Sequence, residues 1–372
     1  MLIVSICGVV LFVFYILFSS KIKCSKYTEY LIFFMFSFVL AVIAYHAQPM
    51  WDLSIHFSYM KMIEESKVGY LQLFTKGFYQ YSHNRFYLLF NLLCFLSVKL
   101  ENYHLMPFIV VLIDYLIIGY ISVDWSRHYK VLFNIYLPSQ LLTWMLMPYM
   151  HAVAGMRNAN AACLAALALY LYLEKKKSIL LSLSILLAAL FMHPAIIAVV
   201  PFMILSRYRL NWRQLTMVVA VVIGIKQMAV VFSLSTNEFL HLIGRLYLQY
   251  SSNAQYRNSR RYLYADLLFI AIYLLVMFVN RKKRKPYKQL ENFFILYMLY
   301  ICGNIGNYDL VIRPMYVLAP LSVPLMYSVF AESWIFTDKY TTFLKFIIIS
   351  GLSIINIWVI QDYLKILMSQ YF

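Results

Sequence analysis

Residues 175–209 read KKKSILLSLSILLAALFMHPAIIAVVPFMILSRYR, and this stretch decides the fold. Two apolar runs, 178–192 and 194–206, meet at His193-Pro194, with Lys175, Lys176 and Lys177 before them and Arg207 and Arg209 after them. Basic residues collect in the cytoplasmic loops of membrane proteins, so both flanks belong on one side and the chain must return to the side it left. Proline donates no backbone hydrogen bond and disfavours helix at the residue before it, which puts the turn at His193-Pro194. The stretch therefore reads as two short helices with His193 at the outer turn; a single tilted helix is the competing reading.

The same logic extends outward. The chain has 372 residues, of which 63% are apolar and 13% charged, and its mean hydropathy is +0.72. That charged share is about half of what a soluble domain carries, so a soluble core could not be covered. At about 20 apolar residues per crossing the length allows about 12 crossings. Apolar runs fall at 2–19, 30–46, 86–100, 105–123, 131–149, 152–173, 178–192, 194–206, 214–234, 263–280, 290–306, 314–331 and 341–360. The expectation is an all-α, polytopic membrane bundle of about 12–14 segments, counting short or re-entrant helices. It forms one domain over 1–372, with polar stretches at 47–85 and 235–262. Aromatics at 18% exclude disorder, and continuous rather than alternating runs exclude an outer-membrane barrel. Cys7, Cys94, Cys163 and Cys302 sit in apolar runs, Cys24 stands alone, and no zinc spacing appears. The segment from Leu2 to Phe18 lacks a basic leader and a clear cleavage site, so it reads as a retained helix.

The 32 Lys and Arg against 15 Asp and Glu give +17, which in a soluble chain would point to nucleic acid. Here 15 of the 32 lie in four short loops, at Lys21–Lys26, Lys175–Lys177, Arg207–Arg213 and Arg281–Lys288, and those loops are placed in the cytoplasm. This creates a conflict of parity. The first two loops require an even number of crossings between them, and the apolar runs number five. Either a further segment enters the membrane, within 47–85 or around 131–157, or one run is not a crossing.

Several residues point to chemistry. Asp52, His56 and Tyr59 share one helical face, a plausible general-base pair or a weak cation site, or else the polar face of an interfacial helix. Arg157 lies near the start of an Ala-rich helix with Asn160 one turn on and Asn158 on a neighbouring face. This suits an anion site packed into a bundle, or an arginine that snorkels to headgroups. His193 at the outer turn is a base, a phosphate donor or a structural histidine. In the outer loop, Arg245, Arg257, Arg260 and Arg261 alternate with Tyr247, Tyr250, Tyr256 and Tyr262, a pattern for phosphate and sugar or for anionic lipid. Arg313 precedes Pro314 at an expected helix start, with Asp309 as a rival ion-pair partner. Asp114 and Lys226 lie inside apolar runs, where an ionisable group is functional or paired, for example Lys226 with Asp266. No Walker loop, GxGxxG or GxSxG is present, so activation must come with the substrate.

Taken in order, Asp-Leu-x-x-His after a helix hairpin, Gly-Met-Arg157-Asn-Ala opening an Ala-rich helix that ends in Lys-Lys-Lys, Phe-Met-His193-Pro-Ala-Ile-Ile, a Tyr-rich loop and a late Arg313 form a pattern. It resembles the EpsG-type, Wzy-like polysaccharide polymerases of bacterial exopolysaccharide, capsule and O-antigen clusters, and the likeness covers most of the chain. The resemblance implies a GT-C-like, metal-independent glycosyltransferase of the cytoplasmic membrane with its active site facing outward and no cofactor. Its substrate would be undecaprenyl-diphosphate-linked oligosaccharide, and the growing glycan would pass from one carrier to the non-reducing end of the next unit. Carried over by position, Arg157 and Arg313 would clamp the diphosphate, assisted by Arg245 and the 257–261 cluster, and Asp52 or His193 would activate the acceptor hydroxyl. Partners would be membrane lipid, a chain-length regulator and a flippase of the same pathway, with no nucleic acid. A flippase of lipid-linked oligosaccharide, a single-addition glycosyltransferase and an acyltransferase are the rival readings.

Overall fold

The computed structural model describes residues 25–75, 86–128, 149–208, 212–252, 267–271, 289–304 and 308–325, with positions 84, 143, 146, 147, 264, 350–352, 354, 355 and 358, some side chains within these stretches excepted. Among them all regular structure is helical. In chain order the main helices are α1 (Lys26–Tyr45), α2 (Asp52–Ser66), α3 (Leu88–Lys99), α4 (Leu105–His128), α5 (Met156–Leu169), α6 (Ile179–Met192), α7 (Val199–Leu205), α8 (Trp212–Ser233), α9 (Glu238–Ser252), α10 (Gln289–Gly303) and α11 (Tyr308–Leu318). The apolar runs at 2–19, 131–149 and 341–360 lie wholly or largely outside the described residues, as do Lys226 and Asp266 as side chains.

Local chemistry explains where the helices begin. Ser25 caps α1 by accepting from Thr28 N at 3.1 Å, and Glu29 adds a negative charge in the first turn. Ser178 caps α6 in the same way at 3.3 Å. That helix stops at Met192, as its sequence demands: His193 is extended and Pro194 starts a separate 3₁₀ turn leading into α7. The chain thus makes two short helices about the His193-Pro194 break.

Named contacts set the directions of the helices. Arg127, at the end of α4, grips Glu29 of α1 through two bonds of 2.5 and 2.6 Å. At the far ends of the same two helices Tyr45 faces His104, with ring centroids 5.7 Å apart, so α1 and α4 are antiparallel. Asp114 pairs with Asn160 and Asp124 with Tyr170, so α4 and α5 run parallel. Lys175 then binds Asp124 at 2.8 Å, and Arg207 lies 3.9 Å over the ring of Tyr172. Asn292, at the start of α10, donates to the carbonyls of Ser206 and Tyr208. Glu29, Arg127, Lys175 and Arg207 therefore gather at one end, which we call the basic end. Residues 178–206 leave it and return to it, with His193 at the opposite end.

The same contacts bear on the parity conflict. Tyr87, just before α3, touches Arg157 and His193 at the far end. Asn102, just after α3, donates to the hydroxyl of Tyr45, also at the far end. Both ends of α3 lie on one side, so the run at 86–100 is not a crossing. It is 12 residues long, about 18 Å, too short for a bilayer core of about 30 Å. The polar stretch at 47–85 contains α2, which packs on α3 and binds Tyr103 through Glu64. Single cysteines at Lys67 and Asn102, in a chain whose native cysteines are replaced, are expected to react with an impermeant maleimide from one side of the membrane. A cysteine at Lys176 is expected to react from the other, and labelling of Asn102→Cys and Lys176→Cys from the same side would overturn this topology.

Two further expectations are corrected. The stretch at 235–262 was expected to be a loop, yet 238–252 is the helix α9. Phe239, Leu242, Ile243, Leu246 and Tyr250 recur at helical spacing, and Asn237 caps the helix by accepting from Leu240 N at 3.2 Å. Arg313 was expected to open a helix, but α11 begins at Tyr308 and carries Pro314 in its interior. The argument from a helix N-terminus therefore does not hold for Arg313.

Among the described residues two helical stretches, Tyr27–Tyr45 and Leu105–His128, are long and apolar enough to cross a membrane. The exposed faces of α1 and α6 agree. On α1 Leu31, Phe34, Met35 and Phe38 are exposed while Ala41 and Ala44 are buried. On α6 Leu180, Leu183 and Leu187 face outward. Apolar stripes of this kind are rarely left to water, and lipid is the solvent that suits them.

Candidate functional site

At the end opposite the basic end, α5 begins after Gly155 and presents Arg157 in its first turn. The body of α5 is packed tightly, with Ala159, Ala161, Ala165, Ala166 and Ala168 at 0% exposure, so the helix has little freedom to shift and Arg157 is fixed at its root. Arg157 donates from Nη1 to Asn84 Oδ1 at 2.9 Å. Its guanidinium lies 4.8 Å from the centre of the Tyr87 ring and 5.1 Å from that of Phe90. Tyr87 in turn stacks on His193, 5.5 Å between centroids and 16° between planes. His56 of α2 packs edge-on against Phe90 at 5.0 Å. The fold thus gathers His56, Arg157 and His193 around two aromatic rings.

Among the described residues no carboxylate pairs with Arg157. A half-buried guanidinium with one hydrogen bond and no counter-ion among the described residues retains donors, and its contacts are with Asn84, Tyr87 and Phe90. His193 is oriented too. Its Nδ1 accepts from Ala195 N at 3.3 Å, so in the neutral imidazole the proton sits on Nε2. This favours the donor reading of His193 over the base.

The other expected residues separate. Asp52 is exposed at the first residue of α2, while His56 and Tyr59 on the same face are buried at 2% exposure each. Asn160 is set apart from Arg157: its Nδ2 donates to Asp114 Oδ1 at 2.7 Å inside the α4–α5 interface, and both are buried. The reason is register, because one turn below Arg157 the Asn160 side chain faces α4 instead of the site. That bond gives Asp114 Oδ1 a partner that was not among those expected. Arg245 is exposed on α9, which packs on α8 and α11. Arg313 is half-buried on α11, a helix packed on α5, with Tyr316 one turn further on against His151. Arg257, Arg260 and Arg261, and the side chains of Tyr250 and Asp309, lie outside the described residues. Among the described residues no group of three or more His, Cys, Asp or Glu converges.

Asn84, Tyr87 and Phe90 were not anticipated. The run at 86–100 reads as a membrane span, which hides the polar Asn84-Arg-Phe-Tyr87 stretch that leads into it. That unusual entry was the one available signal.

The arrangement is that of a helical membrane protein with a half-buried arginine set among aromatics, away from its basic end. The EpsG family model matches residues 52–372, and the chain belongs to the EpsG family. No curated protein and no solved structure shows significant similarity to it.

Proposed function

We propose that this chain is a polysaccharide polymerase of the cytoplasmic membrane, a glycosyltransferase that joins undecaprenyl-diphosphate-linked repeat units at the outer face. The observation that carries this reading is Arg157, a half-buried cation without a carboxylate partner among the described residues, near His193 and opposite the basic end. Family membership supports the substrate class, and the positive-inside rule supports a cytoplasmic basic end with the site outside.

In this reading the acceptor hydroxyl attacks the anomeric carbon of the donor glycan. The bond from that carbon to the diphosphate oxygen breaks, and the electron pair leaves with undecaprenyl diphosphate. Arg157 takes up the developing negative charge, with His193 Nε2–H as a second donor, so protein groups rather than a metal stabilise the leaving group. The hydroxyl proton passes to a base on α2, which presents Asp52 at the rim and His56 one turn deeper. Arg313 lies on a neighbouring helix as a second contact for the diphosphate. Arg245 and the 257–261 cluster are assigned to the outgoing glycan or to lipid headgroups. A flippase that delivers the units and a regulator of chain length are the expected pathway partners.

The test is product length. The purified full chain in nanodiscs, given the lipid-linked repeat unit of its parent cells, is expected to yield a ladder spaced by one repeat. A single addition would make it a simple transferase. Transfer of lipid-linked units between leaflets of a vesicle, with no new glycosidic bond, would make it a flippase.

A further inference from the structure

We propose that Tyr59 and Asn91 are positioning residues that aim Arg157 through Asn84 without touching the substrate. The inference rests on Arg157 as the diphosphate-binding residue of the preceding section.

Three hydrogen bonds form one continuous chain. The Tyr59 hydroxyl donates to Asn91 Oδ1 at 3.0 Å. Asn91 Nδ2 donates to the carbonyl oxygen of Asn84 at 2.7 Å. The Asn84 side-chain oxygen then accepts from Arg157 Nη1 at 2.9 Å. Every link is shielded from solvent, with Asn91 at 0%, Tyr59 at 2% and Asn84 at 3% exposure. The Asn91 amide has one workable orientation, because its oxygen must face a hydroxyl donor and its nitrogen a carbonyl. Tyr87 N also donates to the Asn84 carbonyl at 2.9 Å, so the turn that presents Asn84 is tied to the start of α3.

The alternative is that Tyr59 and Asn91 only glue α2 to α3. Against that, the chain does not stop at the α2–α3 contact but continues to the side chain that grips the guanidinium. Burial pushes the Tyr59 phenol up, with Arg157 pulling the other way, so its hydroxyl remains a donor at neutral pH. Tyr59 reaches Arg157 by a second route as well: its ring stacks on Phe90, the ring beneath the guanidinium. Tyr59→Phe deletes the first route and keeps the second, which makes it a clean probe.

The experiment measures turnover, and binding of undecaprenyl diphosphate, by the full chain in nanodiscs. It compares wild type, Tyr59→Phe, Asn91→Ala, Asn84→Ala and the Tyr59→Phe/Asn84→Ala double variant. Loss of one buried hydrogen bond is expected to lower binding or turnover by about fivefold in Tyr59→Phe. Asn84→Ala, which leaves Arg157 in place, is expected to lose about tenfold, and the double variant no more than Asn84→Ala alone. Equal losses for Tyr59→Phe in both backgrounds, tracking a lower melting temperature, would mean glue and overturn the proposal. So would an unaffected Tyr59→Phe. Arg157→Ala separates the two readings: if it abolishes binding while Tyr59→Phe does not change it, only the positioning role falls. Intact binding in Arg157→Ala takes down the diphosphate site itself.

Discussion

A chain carrying Arg157→Ala is expected to make no polymer while reaching the membrane in normal amount. The guanidinium faces Tyr87 and Phe90 and holds Asn84, and no carboxylate among the described residues neutralises it. Its charge is therefore available to a ligand, and in the proposed mechanism it matters most when the diphosphate departs. Removing one preorganised donor to a developing anion costs about 10²–10³ in turnover, and the loss here should sit at the upper end because the charge goes with the donors. Arg157→Lys keeps the charge but loses the planar fork, the Asn84 bond and the fit over two rings, so about a hundredfold loss is expected there. Normal polymer from both variants, judged by the glycan ladder of complemented deletion cells, would remove Arg157 from the mechanism. Asn84 Oδ1 is left without this partner in Arg157→Ala, which costs about 1–3 kcal/mol where it stays dry. A melting curve of the detergent-solubilised protein should accompany the assay.

The second large effect is structural. Gly244 of α9 sits directly on the end of α8. A Cβ added there would overlap Ser233 N and come within 2.5 Å of Ala229 O and 2.7 Å of Phe232 C. All three are backbone atoms, so no side chain can rotate away and the two helices must separate. Gly244→Ala is expected to destabilise the protein by about 3 kcal/mol or more, beyond ordinary overpacking. Gly224, in the middle of α8, is the control, because an added Cβ meets nothing within 4 Å. Gly224→Ala should be neutral or stabilise by up to about 1 kcal/mol through helix propensity. Equal melting temperatures for the two alanine variants would show that α8 and α9 do not pack as described.

Much of this fold is legible in the sequence because lipid imposes a simple rule. Continuous apolar runs became α1, α4, α5, α6, α8 and α10, and a single Pro set the break between α6 and α7. Arg157 was legible because an arginine in an Ala-rich helix has few ordinary explanations. What was hidden is whatever depends on contacts remote in sequence. Asn84 meets Arg157 across 73 residues, and no local pattern marks the meeting. α3 has the composition of a span but not the length, so hydropathy alone counted it as a crossing. In 235–262 attention to the arginines obscured the apolar spacing of α9. Asn160 looked like a ligand because it lies one turn from Arg157, but that turn was enough to face it toward Asp114.

The shape of α3 also bears on the order in which the molecule is made. A 12-residue apolar helix that starts and ends on one side cannot be threaded across the bilayer as it leaves the ribosome. Its buried face waits for partners made later: Cys94 rests against Met106 of α4, and Phe90 lies under Arg157 of α5. Until α4 and α5 have been inserted, α3 has nowhere to settle. The end that carries Arg157 is thus a late product of biogenesis, closed only after the helices beneath it have been laid down.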